Sequence, residues 1–143
     1  MKKVYEVVAD SNVIIAALRS RRGASYKFLS LIGAGSFDIH ISVPLVLEYE
    51  ELAKRLQWKG KPPWKSITDI LDFVCASGRQ RKIHYLWRPR LPDSSDDMVL
   101  EVAVAGHCDY IITYNKRHFA DAKSFGIGLL TPREFLKMTG ELT

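Results

Sequence analysis

The stretch VYEVVADSN, residues 4–12, decides the fold, because an apolar run typical of a buried strand ends abruptly in three polar residues. Asp10, Ser11 and Asn12 are followed at once by a second apolar run, VIIAAL, which has a helical pattern. Two interpretations of Asp10 are open from this stretch alone. It is either an ordinary helix N-cap or part of a ligand site at the carboxyl end of a strand.

Strand and helix patterns alternate along the rest of the chain. Further strands are predicted at FDIHISV, near KIHYL, at YIIT and near GIGLL, and helical segments separate them. Strands separated by helices require crossover connections, so the sequence predicts a three-layer α/β domain with a mostly parallel sheet of about five strands between helices. No repeat or linker divides the 143 residues, which predicts a single domain over 1–143.

Composition sets the broad class. Twenty-one Lys and Arg against sixteen Asp and Glu give a net charge of +5, which permits a polyanionic partner. Cys75 and Cys108 lie in different apolar segments without a zinc spacing, which favours reduced core thiols over a metal site or disulfide. The start MKKVYEVVAD reaches an acid before a signal-peptide core could form, and no run of eighteen apolar residues occurs. We therefore expect a cytoplasmic protein with no membrane contact.

Acidic residues recur at positions that are unusual for solvated charges. On the predicted helix LVLEYEELAKRL, Glu48 lies about 60° from the centre of the apolar face, whereas Glu50 and Glu51 lie about 140° and 120° away. Asp96 and Asp97 begin the helix DDMVLEVAVAGH, and both lie within about 60° of its apolar face. The alternatives are a Glu48 that turns outward and aspartates that serve only the helix dipole.

Polar residues also end the strand YIIT, where Thr113 and Asn115 follow the apolar run. A plain turn explains them equally well. A parallel sheet, however, can bring these residues, Asp10 and the acids to one edge, where carboxylates repel one another unless cations neutralise them. Oxygen ligands without His or Cys select hard ions such as Mg²⁺ or Mn²⁺, which suit phosphodiester chemistry.

Four short motifs resemble the PIN domain (PilT N-terminal domain) family. They are DSNV after a strand, the glutamate in SVPLVLEYEEL, the acid before an apolar helix in DDMVLEVA, and the strand end YIITYN, and they occur in the family's order over nearly the whole chain. The resemblance implies a Rossmann-like domain and an Mg²⁺- or Mn²⁺-dependent endoribonuclease. It implies Asp10, Glu48 and Asp97 as catalytic metal ligands, with Ser11, Asn12, Asp96, Thr113 and Asn115 in support.

The chain is most similar to the small stand-alone prokaryotic members of that family, many of which are toxins of toxin-antitoxin pairs. This resemblance implies an RNA substrate, a cognate antitoxin protein and a homodimer. Asn115 stands where many relatives have a fourth acid, and a neutral amide cannot neutralise an ion, so one metal plus a transient second is expected.

Two other functions remain open. One is a catalytically weak or inactive PIN-like module that binds RNA or protein, which the missing fourth acid favours. The other is a phosphoacceptor receiver domain, which would need an aspartate after the third strand, where this chain has LWRPR.

Basic residues cluster in three places, and two of the clusters flank the predicted site. The cations of the two flanking clusters would bind a phosphate backbone, and the tryptophans of the third cluster could stack bases. Solvated surface and core packing are the alternatives. The clusters are Arg19, Arg21 and Arg22; Lys116, Arg117 and His118; and Lys59, Lys61 and Lys65 with Trp58 and Trp64.

Overall fold

The computed structural model describes residues 3–57, 63–81 and 94–142. Two predictions therefore lie outside the described residues: the strand near KIHYL and the part of the third basic cluster at 58–61. Among the described residues no helix is long and apolar enough to cross a membrane.

Strands and helices alternate as the sequence predicts, and the breaks fall at the polar, proline and glycine positions. In chain order the elements are β1 Tyr5–Ala9, α1 Ser11–Arg19, α2 Ala24–Ser30, β2 Phe37–Ile41, α3 Val43–Gln57, α4 Trp64–Ser77, β3 Arg79–Gln80, α5 Ser94–Ala105, β4 Tyr110–Ile112, a 3₁₀ helix Lys116–Phe125, β5 Gly128–Leu130 and α6 Pro132–Met138.

The five strands form one parallel sheet in the order β3-β2-β1-β4-β5. With helices flanking the sheet, the predicted three-layer α/β fold is confirmed. The chain leaves β1 towards β2 on one side and later returns to β4 on the other. The order therefore reverses between β1 and β4, and in parallel sheets ligands bind in the crevice beyond such a switch point.

The core is made by apolar side chains on both central strands and by an aromatic group below them. Val7, Val8 and Ala9 of β1 are fully buried. Phe28 stacks on Phe37 with ring centroids 4.9 Å apart, and the ring of Phe135 packs edge-on against both. Because β1 and β4 are fixed on their neighbours by packing and by the backbone ladder, the residues that follow them are held in defined positions.

A buried polar network joins β1 and β2. His40 is fully buried, and its Nδ1 accepts a hydrogen bond from Nε of Arg81 at 2.8 Å. Since arginine only donates, the imidazole proton lies on Nε2, which donates to Oε1 of Glu6 at 2.8 Å. Burial, and to a lesser extent the charge of Arg81, lower the pKa of His40, while Glu6 opposes the shift.

Candidate active site

Asp10 follows β1 at the carboxyl edge of the sheet, beside the switch point, and the region around Asp10, Ser11 and Thr113 is called the acidic crevice. Its backbone N–H donates to the carbonyl of Ile112 at 2.9 Å, which ties the end of β1 to the end of β4. Its side chain is buried, with Oδ2 accepting from the hydroxyl of Thr113 at 2.7 Å and Oδ1 from the hydroxyl of Ser11 at 3.4 Å. Burial raises the pKa of Asp10, although both hydroxyls and the nearby His118 lower it. Such a carboxylate is stabilised by any cation that enters the crevice.

The side chain of Asp10 does not cap helix α1. Asp10 occupies the N-cap position of α1, but within the described residues its carboxylate makes no side-chain capping hydrogen bond. Instead, its oxygens are engaged by the two hydroxyls. The backbone of Asp10 therefore begins helix α1, while its carboxylate is held in the acidic crevice by Ser11 and Thr113.

Thr113 is the buried connection between Asp10 and the loop after β4. It is fully buried, donates its hydroxyl proton to Asp10 and accepts a hydrogen bond from the backbone N–H of Asn115 at 3.0 Å. Asn115 itself is exposed. The predicted supporting residues Ser11 and Thr113 thus contact Asp10, whereas Asn115 is connected to it only through its backbone hydrogen bond to Thr113.

Tyr114 extends this arrangement to α2. Its backbone N–H points at Oδ1 of Asn12 across 3.5 Å, and its hydroxyl is 2.6 Å from the hydroxyl of Ser25 in the first turn of α2. The residue is 45 % exposed. An exposed ring is thereby fixed beside the acidic crevice.

Asp96 and Asp97 lie in the first turn of α5, and both are buried. Oδ2 of Asp96 is 3.1 Å from Nδ1 of His118 in the 3₁₀ helix. Because His118 also favours the ionised form of Asp10, it lies near both aspartates. His118, predicted as part of a phosphate-binding cluster, instead faces the acids.

Glu48 is half-buried on α3, in agreement with its expected place at the border of the apolar face. The next residue, Tyr49, is fully buried and donates its hydroxyl to the carbonyl of Ala9. Burial, and to a lesser extent the charge of Asp10, raise the pKa of the Tyr49 hydroxyl well above its ordinary value. Tyr49 therefore fixes α3 to the end of β1. The sequence pattern did not reveal this contact, because Tyr49 fits the apolar stripe of the helix and the stripe predicts only a core residue.

The donor chemistry of the crevice fits a hard divalent cation, since it offers carboxylate and hydroxyl oxygens. Geometry adds a restriction. Across residues 3–57, 63–81 and 94–142, no three His, Cys, Asp or Glu side chains are grouped closely enough to hold a metal ion. Asp10, Glu48 and Asp97 therefore form no ready coordination shell in this structure, and their role as joint metal ligands stays a prediction.

The predicted RNA-binding residues occupy two places. Arg19, Arg21 and Arg22 are exposed at the end of α1. Lys116 is also exposed, but its Nζ is 2.6 Å from Oε1 of Glu134, and this lysine is the main cause of the lowered pKa of that carboxyl. The exposed Arg117 follows it.

A parallel sheet with a buried carboxylate, that of Asp10, at its switch point defines an α/β protein, and α/β proteins of this kind bind ligands at that position. The family model described as PIN domain matches residues 6–117. The chain belongs to the PIN domain family, whose members are generally nucleases that hydrolyse phosphodiester bonds and typically use divalent metals. No curated protein matches the chain.

Proposed function

We propose that this protein is an Mg²⁺- or Mn²⁺-dependent endoribonuclease that acts in the cytoplasm, as the toxin of a toxin-antitoxin pair. The observation that carries the nuclease proposal is Asp10, a buried carboxylate at the switch point whose pKa is raised by burial. Burial of an ionised carboxylate costs stability, so the presence of Asp10 at this position favours a role with a cation.

Asp10, Glu48 and Asp97 would hold the metal. When bound, the ion would activate water and stabilise the negative charge that develops on the attacked phosphate. Ser11 and Thr113 keep the carboxylate of Asp10 oriented by their hydroxyl hydrogen bonds. Groups that orient a ligand in this way commonly affect metal affinity or activity about 10- to 100-fold.

The substrate and partners follow from charge and family resemblance. Exposed cations suit a phosphate backbone, although Lys116 is paired with Glu134. They are Arg19, Arg21, Arg22, Lys116 and Arg117. The antitoxin partner and the homodimer remain predictions from the resemblance. Exposed apolar side chains on α3, at Val43 and Leu47, provide a surface that a protein partner could cover.

A cleavage assay tests the proposal. Purified protein is incubated with a mixed RNA pool, with Mg²⁺, with Mn²⁺ or with a chelator, and the cut ends are mapped. We expect metal-dependent cleavage that Asp10→Asn and Asp97→Asn each reduce by more than about 100-fold. Asp69→Asn, at an exposed carboxylate paired with Lys65 on α4, is the matched control and should cleave normally.

Stability measurements make the loss of activity interpretable. Asp10→Asn removes a charge that burial disfavours, so the metal-free variant should melt at the same temperature as the parent or higher. Full activity in Asp97→Asn together with loss in Asp96→Asn would show that the ligand was assigned to the wrong aspartate. A folded parent protein that binds RNA without cutting it in either metal would favour the inactive binding module.

A further inference from the structure

A basic pocket lies between α2 and α6. Its charged lining consists of Arg21, Arg22, Lys27 and Arg133, and its volume is about 450 Å³. Among the described residues that line it there is no aspartate or glutamate. Only the two arginines after α1 were predicted to bind RNA. Lys27 lies on the following helix α2, and Arg133 comes from the distant helix α6.

Within residues 3–57, 63–81 and 94–142, no ion pair joins a cation of the basic pocket to a carboxylate. Lys27 donates to the backbone carbonyl of Glu141 at 2.8 Å, which orients the ammonium group without cancelling its charge. Glu134, which follows Arg133 in sequence, is engaged by Lys116 and by the capping box of α6. Four cations around one pocket repel one another, and an anion bound among them relieves that repulsion.

Tyr114 connects the basic pocket to the acidic crevice. It follows Thr113, which holds Asp10, and its hydroxyl meets Ser25, the neighbour of the pocket-lining Ala24. Its half-exposed ring is therefore positioned between the two sites. Every nucleobase has a flat face that can stack on such a ring, whereas bases within a duplex are already stacked.

We infer that a single RNA strand at the acidic crevice continues across Tyr114, with one base stacked on its ring, and binds through neighbouring phosphates in the basic pocket. This inference rests on the proposed function for the identity of the ligand. It adds Tyr114, Lys27 and Arg133 to the substrate surface.

Binding is measured separately from cleavage. Fluorescence anisotropy follows a labelled single-stranded RNA, and the corresponding duplex, in a chelator and over a series of salt concentrations. Arg133→Gln should weaken single-strand binding and reduce the slope of log K against log salt by about 0.7 for each lost phosphate contact. Lys123→Gln is the matched control, because it removes one exposed charge that does not line the basic pocket and should have a smaller effect on the slope.

Variants of Tyr114 separate stacking from hydrogen bonding. Tyr114→Ala should weaken single-strand binding about 5- to 150-fold, the range given by the loss of one stacked base. Tyr114→Phe keeps the ring while losing the bond to Ser25, so it should retain most of the affinity. Both changes should have little effect on duplex binding.

Three results would overturn the inference. Equal slopes for Arg133→Gln and Lys123→Gln would remove the basic pocket from the RNA path, and an unaffected Tyr114→Ala would remove the stacking contact. Binding of polyglutamate, but not RNA, with the same dependence on Arg133 would assign the pocket to an acidic protein. Failure of the nuclease proposal looks different, since RNA would then bind as inferred but remain uncut in Mg²⁺ and Mn²⁺.

Discussion

Removing the hydroxyl of Thr113 tests how Asp10 is held. In Thr113→Val the side chain keeps its shape, but Asp10 loses the 2.7 Å hydrogen bond to Oδ2 and the backbone N–H of Asn115 loses its acceptor. A hydrogen bond to an ionised group contributes about 1.5–3 kcal/mol. For 143 residues the unfolding entropy is about 0.3 kcal/mol/K, so the melting temperature of the metal-free protein should fall by about 5–10 °C.

The pH dependence of this penalty has a definite sign. Burial raises the folded pKa of Asp10 above its ordinary value, so the folded protein loses stability as pH rises through that pKa. The Thr113 hydroxyl opposes the shift by stabilising the carboxylate. Thr113→Val raises the pKa further, and its penalty should be larger at neutral pH than in acid, where Asp10 is protonated.

A double-mutant cycle assigns the effect to the pair. Thermal unfolding in a chelator is measured for the parent, Thr113→Val, Asp10→Asn and the combined variant, with Thr113→Ser as the control that keeps a hydroxyl. Because a bond to a neutral amide contributes only about 0.5–1.5 kcal/mol, Thr113→Val should cost about 1 kcal/mol less when residue 10 is Asn. Equal costs in both backgrounds would show that the hydroxyl does not act through Asp10.

Two further predictions concern His40 and Asn115. Burial lowers the pKa of His40 from 6.5, so the stability of the protein should fall as pH drops below 6.5 towards the folded pKa. Melting temperatures measured over pH should lose this dependence in His40→Gln and keep it in the control His107→Gln, which changes an exposed histidine. Asn115→Asp should tighten Mn²⁺ binding by calorimetry and lower the metal-free melting temperature through carboxylate repulsion. Equal affinities with unchanged melting would place Asn115 outside the site.

The fold was predictable because local signals coincide with the tertiary structure. The apolar run that opens the stretch 4–12 forms β1, Tyr5–Ala9, and the strand expected at FDIHISV is β2, Phe37–Ile41. Continuous apolar runs identify the buried strands, and proline, glycine and polar residues mark where the strands and helices end. Alternation of the two patterns then leaves a parallel sheet as the expected architecture.

Contacts between distant segments were not predictable in the same way. The apolar stripe that contains Tyr49 predicts that its ring is buried, but periodicity does not say that its hydroxyl reaches the carbonyl of Ala9. Likewise, Lys116 carries a charge suitable for RNA, and only the docking of α6 reveals Glu134 beside it. Lys27 and Arg133 meet for the same reason, because α2 packs against α6.

In the isolated protein, negative charge at the acidic crevice and positive charge at the basic pocket each reduce stability. At the crevice, burial disfavours the ionised form of Asp10, and a cation would offset that cost. At the basic pocket, cations without an acidic partner among its described lining repel one another, and an anion would offset that cost. RNA bound together with a divalent metal supplies both charges at once, with Tyr114 between the two sites. Metal and RNA should therefore stabilise the folded protein together, because the metal offsets the negative charge of the acidic crevice and the RNA offsets the positive charge of the basic pocket.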